Sequence, residues 1–263
     1  MGALVVGATT GVSLAIYWLF HAKLRPRLTE DEAAAGPEFA GIIATVTSLL
    51  LAFTAVSVWD AYKAADDAAS NEAVTATMLA HDLAAVRNAA GDAAREELRA
   101  YLTSVAKTEW PLLAEGRESE ESQGHLDGIF RAVGRIDLGT RHQEIIVQEI
   151  WGRLNELAKY RRERVATSRA QVPQTLWAVV LIGTLLTVLC ACTVRPTPFG
   201  WAMMTALSAS FGLCFFFIVA MDRPFVGRES VAPDAIEETL AHMDFWDKTP
   251  ALPARGPSLS KKD

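Results

Sequence analysis

The charges of this chain are segregated, and that constrains its fold more than any motif does. Its 263 residues carry 25 Lys and Arg against 31 Asp and Glu, a net charge of −6. Yet four stretches, 1–20, 39–59, 170–194 and 196–221, hold none of them, and each is at least 20 residues long. About 20 apolar residues in an α-helix cross the hydrocarbon core of a bilayer. With no water there to satisfy free N–H and C=O groups, such segments are helical. Helices buried in a soluble core usually run shorter and show one polar face. The reading is an all-α membrane protein with four transmembrane helices, near 3–20, 39–58, 174–194 and 199–220. Two are N-terminal and two C-terminal, flanking a cytosolic helical domain. An ordinary soluble globule, a disordered chain and a secreted disulfide scaffold are excluded.

The pattern divides the chain into 1–59 (helices 1 and 2 with their loop), 60–172 (a helical domain continuous with helix 2), 173–221 (helices 3 and 4) and 222–263 (a tail, docked and then disordered beyond 249). The first apolar stretch lacks the basic n-region of a signal peptide, and the nearest Ala-x-Ala pattern, at 33–35, lies beyond it. A retained anchor is expected. Four spans place both termini and the 60–172 segment on one side. That side carries Lys63, Arg153, Lys159, Arg161, Arg162, Arg164, Arg169, Arg223 and Arg228 near span ends, against Lys23, Arg25, Arg27 and Arg195 on the other. The positive-inside rule then makes it cytoplasmic, in the cell (inner) membrane. Cys190, Cys192 and Cys214 all lie within spans, as small apolar residues.

The remainder reads as helix. Residues 60–90 contain neither Pro nor Gly, so span 2 is expected to run on unbroken until Gly91, about 50 residues or 75 Å in all. Asp92 is expected to cap a second helix that Pro111 ends. Residues 114–124 read as a polar loop, followed by a short helix near 125–134. A longer one over 140–170 has Ile146, Ile150, Leu154 and Leu157 at helical spacing and enters span 3 through a kink at Pro173. The tail holds a short helix with Ile236, Leu240 and Met243 on one face.

Span 2 carries two stripes at 100° per residue. Gly41, Ala44, Thr45, Ser48, Ala52 and Ala55 form a narrow line of small side chains, suited to close helix packing. Opposite run Ile43, Val46, Leu50, Phe53 and Ser57. One stripe is expected against another helix; the other meets lipid or, in an oligomer, a pore. There Leu50, Phe53 and Ser57 are candidates for an apolar neck that gates by dewetting. Span 1 repeats the small-residue pattern at Ala3, Gly7, Gly11 and Ala15. Arg195 is the candidate for the opposite mouth, as an anion attractor or an interfacial snorkelling residue. No charge lies deep in a span, which argues against an ion-coupled pump.

Nothing points to catalysis. No His-x-x-x-His pair, phosphate loop or nucleophile elbow occurs, and no metal or other cofactor is expected. Asp60, Asp66, Asp67 and Glu72 are spread along one helix as a solvated face. The run Lys159, Arg161, Arg162 and Arg164 reads as flanking contact to anionic headgroups, not as a nucleic-acid surface.

Three short motifs, in this order and spacing, resemble those of the bestrophin-like family. They are Glu72-Ala73 after span 2, Glu109-Trp110-Pro111, and Asp222-Arg223-Pro224-Phe225-Val226-Gly227 after span 4. The resemblance covers nearly the whole chain. It implies likeness to bestrophins, pentameric anion channels in which the second span lines a pore with an apolar neck. The acidic run of the bestrophin calcium clasp is missing, since only Glu229 and Asp234 follow nearby. Calcium needs six to eight oxygen ligands. Read from the residues alone, Asp222 can accept N–H bonds or pair with a base of the 159–169 helix, Phe225 can anchor in the domain, and Gly227 permits a turn. Glu109 would need a cationic partner if buried. The expectation is a homo-oligomeric, non-enzymatic membrane protein with the bilayer and itself as partners, conducting anions. The alternative is a non-conducting anchor or sensor whose helical domain binds a cytosolic partner.

Overall fold

The computed structural model describes residues 2–25, 28–137 and 141–248; the expected disorder of 249–263 lies outside these. Nine α-helices follow in order among the described residues: α1 Gly2–Lys23, α2 Glu30–Val86, α3 Ala89–Ser104, α4 Trp110–Leu113, α5 Glu120–Val133, α6 Arg141–Ser168, α7 Gln174–Ala191, α8 Pro198–Met221 and α9 Asp234–Lys248. A π-helical turn, Val105–Glu109, joins α3 to α4. The chain forms two compact units, Met1–Asp66 with Ala166–Val231, and Asp67–Val165 with Ala232–Asp263. Helices α2 and α6 contribute residues to both.

In the first unit, α1, α7, α8 and the first part of α2 are long and apolar enough to cross a membrane. Helix α2 starts nine residues before the apolar stretch because Thr29 and Glu32 form a capping box. The Thr29 N–H donates to the Glu32 carboxylate at 2.8 Å, and the Glu32 N–H to the Thr29 hydroxyl at 3.3 Å. Thr197 caps α8 through the Gly200 N–H. Close approaches depend on glycine. A Cβ on Gly183 of α7 would lie 2.5 Å from the Thr47 hydroxyl of α2, and one on Gly212 of α8 3.0 Å from Val6 of α1. The Tyr17 hydroxyl donates to the carbonyls of Val194 and Arg195, pinning the α7–α8 turn. The core gathers Leu51, Val58, Val180, Phe211, Phe215 and Ile218.

The packed face of span 2 is neither stripe read from the sequence. It is Ala40, Thr47, Leu51, Thr54 and Val58, all buried. This arc falls between the other two, so most of the small stripe (Gly41, Thr45, Ser48, Ala52) and Val46, Phe53 and Ser57 stay exposed. The small residues of span 1 are exposed likewise, because α1 packs through Ser13 and Tyr17 instead.

In the second unit several boundaries differ from the sequence reading, each for a local reason. Helix α2 stops at Val86, and Arg87 takes a left-handed conformation (φ 51°). Asn88, not Asp92, caps α3 by accepting from the Gly91 N–H at 2.8 Å. Pro111 does not end the helix. It has no N–H for the carbonyl one turn back, and the backbone widens so that the Trp110 N–H reaches Val105 O. Helix then continues to Leu113 and is closed by Gly116 in the left-handed region (φ 69°). The expected loop is half helix, since Ser119 caps α5 at Glu120. In the first unit, α6 and α7 are separated at Arg169–Pro173 rather than joined through a kink. Helix α9 packs Ile236, Thr239 and Met243 inward, with Leu240 half-buried. Arg95 and Arg99 of α3 hold its Asp247.

Candidate functional site

The exposed side of α2 in the first unit is an apolar line. Phe39, Ile42, Val46, Leu49, Phe53 and Val56 alternate at three- and four-residue spacing, and all are exposed. Of the three neck candidates, Phe53 (64% exposed) and Ser57 lie on or beside this line. Leu50 is half-buried and packs against the core, leaving Leu49 as Phe53's exposed neighbour. Beside it the small stripe lines a groove of about 610 Å³, walled on α8 by Leu207, Ser210, Leu213, Cys214 and Phe217. Arg195 is exposed and pairs with Glu30 at 2.8 Å, while Arg25 pairs with the same carboxylate at 3.3 Å. Its charge is therefore not free to act alone.

Two of the three sequence motifs meet inside the second unit. Glu72 of α2 and Glu109 of the π turn converge on Arg164 of α6, and all three are fully buried. Arg164 donates to both Glu72 oxygens, at 2.6 and 3.1 Å, and to Glu109 at 2.9 Å. Arg161, one turn earlier, donates to Glu109 at 2.7 Å, to the Ser119 carbonyl and to Gln123. Tyr101 of α3 donates to Glu72 at 2.5 Å, and the Ser119 N–H to Glu109 at 3.2 Å. Trp110 sets its ring 5.1 Å from the Arg164 guanidinium, within cation–π range. Two carboxylates and two guanidiniums balance, as burial of charge requires. Glu109 thus has the cationic partners that its burial demands.

The electrostatics follow from this geometry. Burial pushes the Glu109 carboxyl up, but Arg164 and Arg161 outweigh it and hold the carboxyl below its ordinary range. Burial, with Glu72 beside it, pushes the Tyr101 phenol well above its usual value. Burial works against the Arg164 charge, and Glu72 more than reverses this. Arg161 and Arg164 are not the headgroup-facing run read from the sequence; they are core residues.

The third motif belongs to the first unit. Asp222 accepts from the Val172 N–H at 2.7 Å, tying the end of α8 to the linker before α7. Pro224 and Phe225 are buried, and the Pro224 carbonyl accepts from Val231 at 2.8 Å. Gly227 turns the loop at φ 103°. Among the described residues no group of three or more His, Cys, Asp or Glu could hold a metal ion.

The Bestrophin-like domain family model matches residues 7–236. The chain belongs to the bestrophin-like family. Two solved structures are similar to this bestrophin-like chain, a bacterial bestrophin homologue from Klebsiella pneumoniae and a membrane protein, each carrying one substitution. Each aligns with a TM-score of 0.69 at 15% identity, over 92% of this chain and 98% of the other. At that identity the likeness speaks to fold, and the fold is that of a membrane protein. Among curated proteins none matches. The sequence reading missed Tyr101, Gln123, Arg161 and Arg164 as parts of the buried cluster.

Proposed function

We propose that this bestrophin-like protein is a homo-oligomeric anion channel whose pore is lined by α2, with Phe53 at an apolar neck. The observation that supports this is the uninterrupted exposed line from Phe39 to Val56 on a bestrophin-like fold. In a lone chain it faces lipid; in a ring of copies it faces the axis. An apolar constriction there would gate by dewetting, with Leu49 and Ser57 bounding Phe53 and Leu50 holding the helix from behind. Thr45 and Ser48 bond their own helix carbonyls, so their hydroxyls bring no unsatisfied polar group into the bilayer. Arg195, paired with Glu30, marks the opposite mouth without dominating its charge. The termini and the second unit lie on the cytoplasmic side of the inner membrane, and no reaction chemistry is assigned.

The test is chloride efflux from liposomes holding purified oligomer. Wild type should conduct above empty vesicles, and Phe53→Ala should conduct more. Confirmed oligomer with no flux above empty vesicles, in either form, would favour a non-conducting anchor that binds a cytosolic partner.

A further inference from the structure

We propose that the second unit holds a binding site for a small carboxylate with a compact apolar body. The site is a cavity of about 360 Å³ where the C-terminus of α2, the segment after α5 and the first turns of α6 meet. That volume lies near the lower end of small-molecule pockets, roughly 300–1,000 Å³. It suits a ligand the size of a substituted ring or a short branched chain.

The lining has two chemical parts. Val86, Ile136 and Val147 are buried and Ile146 half-buried, giving an apolar floor. Arg87 and Gln143 supply the polar groups. No carboxylate lines the cavity among the described residues; Asp137 and Glu144, on the same segments, are outside its lining. Arg153 nearby on α6 is committed to Asp82 and Glu149. Arg87 has no ion pair or hydrogen bond among the described residues. Arg135 and Arg141, next to Ile136 and two residues before Gln143, are exposed and also unpaired there, so they add positive potential.

The backbone gives a separate reason. Arg87 holds φ 51°, a region that strains an L-residue and that glycine occupies freely. A turn alone would be served better by glycine. Arg87, exposed at the mouth of the cavity, is a backbone outlier of the kind associated with function. Its planar fork matches a carboxylate bidentately. Gln143 lines the same mouth, and the ligand's hydrocarbon covers the floor. An inorganic anion would leave that floor uncovered, and a long acyl chain would exceed the volume.

The test is direct binding, independent of conduction. Full-length protein in detergent is titrated with benzoate, benzamide and inorganic phosphate, read by ligand-observed NMR against empty micelles. Benzoate should saturate, with benzamide and phosphate about tenfold weaker or more. Arg87→Gly should melt no lower than wild type, because it relieves the backbone, yet weaken benzoate about tenfold. Arg87→Lys should retain part of the affinity, and Ile146→Trp should abolish binding by filling the cavity. No saturable benzoate signal below roughly 10 mM would overturn the proposal. So would equal binding of benzoate with benzamide or phosphate, or benzoate affinity unchanged in Arg87→Gly.

Discussion

Arg164 serves two carboxylates at once, so its truncation reveals what the buried cluster does for stability. Arg164→Met would leave Glu72 and Glu109 facing each other in a site with no solvent exposure. Removing one partner of a buried ion pair typically costs about 3–5 kcal/mol. A loss of that order is expected in thermal melts followed by circular dichroism; a melt within a degree or two of wild type would sink the argument. The pH dependence has a definite sign. Glu109's carboxyl is held low in the folded chain, so its contribution is complete above the unfolded value, about 4.3. It is lost as pH falls through the depressed folded value. The melting temperature should therefore hold as pH approaches 5 and fall in more acid solution. Glu109→Gln should melt lower at pH 7 and show a shallower acid decline. Both arginines were legible in principle. Ile150, Leu154 and Leu157 continue at three- and four-residue spacing into Arg161 and Arg164, on the same buried face of α6. Reading charge before register hid them, since two guanidiniums beside a span resemble headgroup anchors.

At the scale of elements, length and apolarity revealed the four spans, but not which face of each is packed. Span 2 offered two stripes, and the fold packs the arc between them. The choice depends on what α7 presents, and α7 presents Gly183 to Thr47. This makes a test of the packing itself. Gly183→Ala places a Cβ 2.5 Å from the Thr47 hydroxyl, so either the Thr47 side chain or α7 must shift. Overpacking of this kind costs about 1–3 kcal/mol, visible as a lower melting temperature in detergent. Thr47→Ala removes the clashing atoms and should restore much of the loss in the double mutant. Equal losses with and without Thr47→Ala would show that the clash is relieved elsewhere. Boundaries were misread where one side chain decides. Asn88 outcompetes Asp92 as a cap because it reaches the Gly91 N–H, and Pro111 widens a helix instead of stopping it. In both cases proline or glycine alone was a poorer guide than the hydrogen bond available nearby.

For the whole molecule, the four candidate spans were legible in the sequence because charge segregation is a one-dimensional signal. The meeting of Glu72, Glu109 and Arg164 was not visible, because it joins positions up to 92 residues apart. The membrane placement itself can be tested. Along α2, Phe39 and Trp59 are exposed and 20 residues apart, about 30 Å of helix, which is the thickness of a hydrocarbon core. Aromatic side chains at that separation suit the two interfaces. Arg195 follows one end of α7, and Arg228 follows the opposite end of α8, so four spans put them on different sides. In a background of Cys190→Ala, Cys192→Ala and Cys214→Ala, Arg195→Cys should react with a membrane-impermeant maleimide added to intact cells. Arg228→Cys should react only after permeabilisation, because the greater number of Lys and Arg flanks that side. The reverse labelling would invert the orientation while leaving four spans standing. Labelling of both in intact cells would mean an even number of crossings between them, and the assignment of α8 as a span would fail.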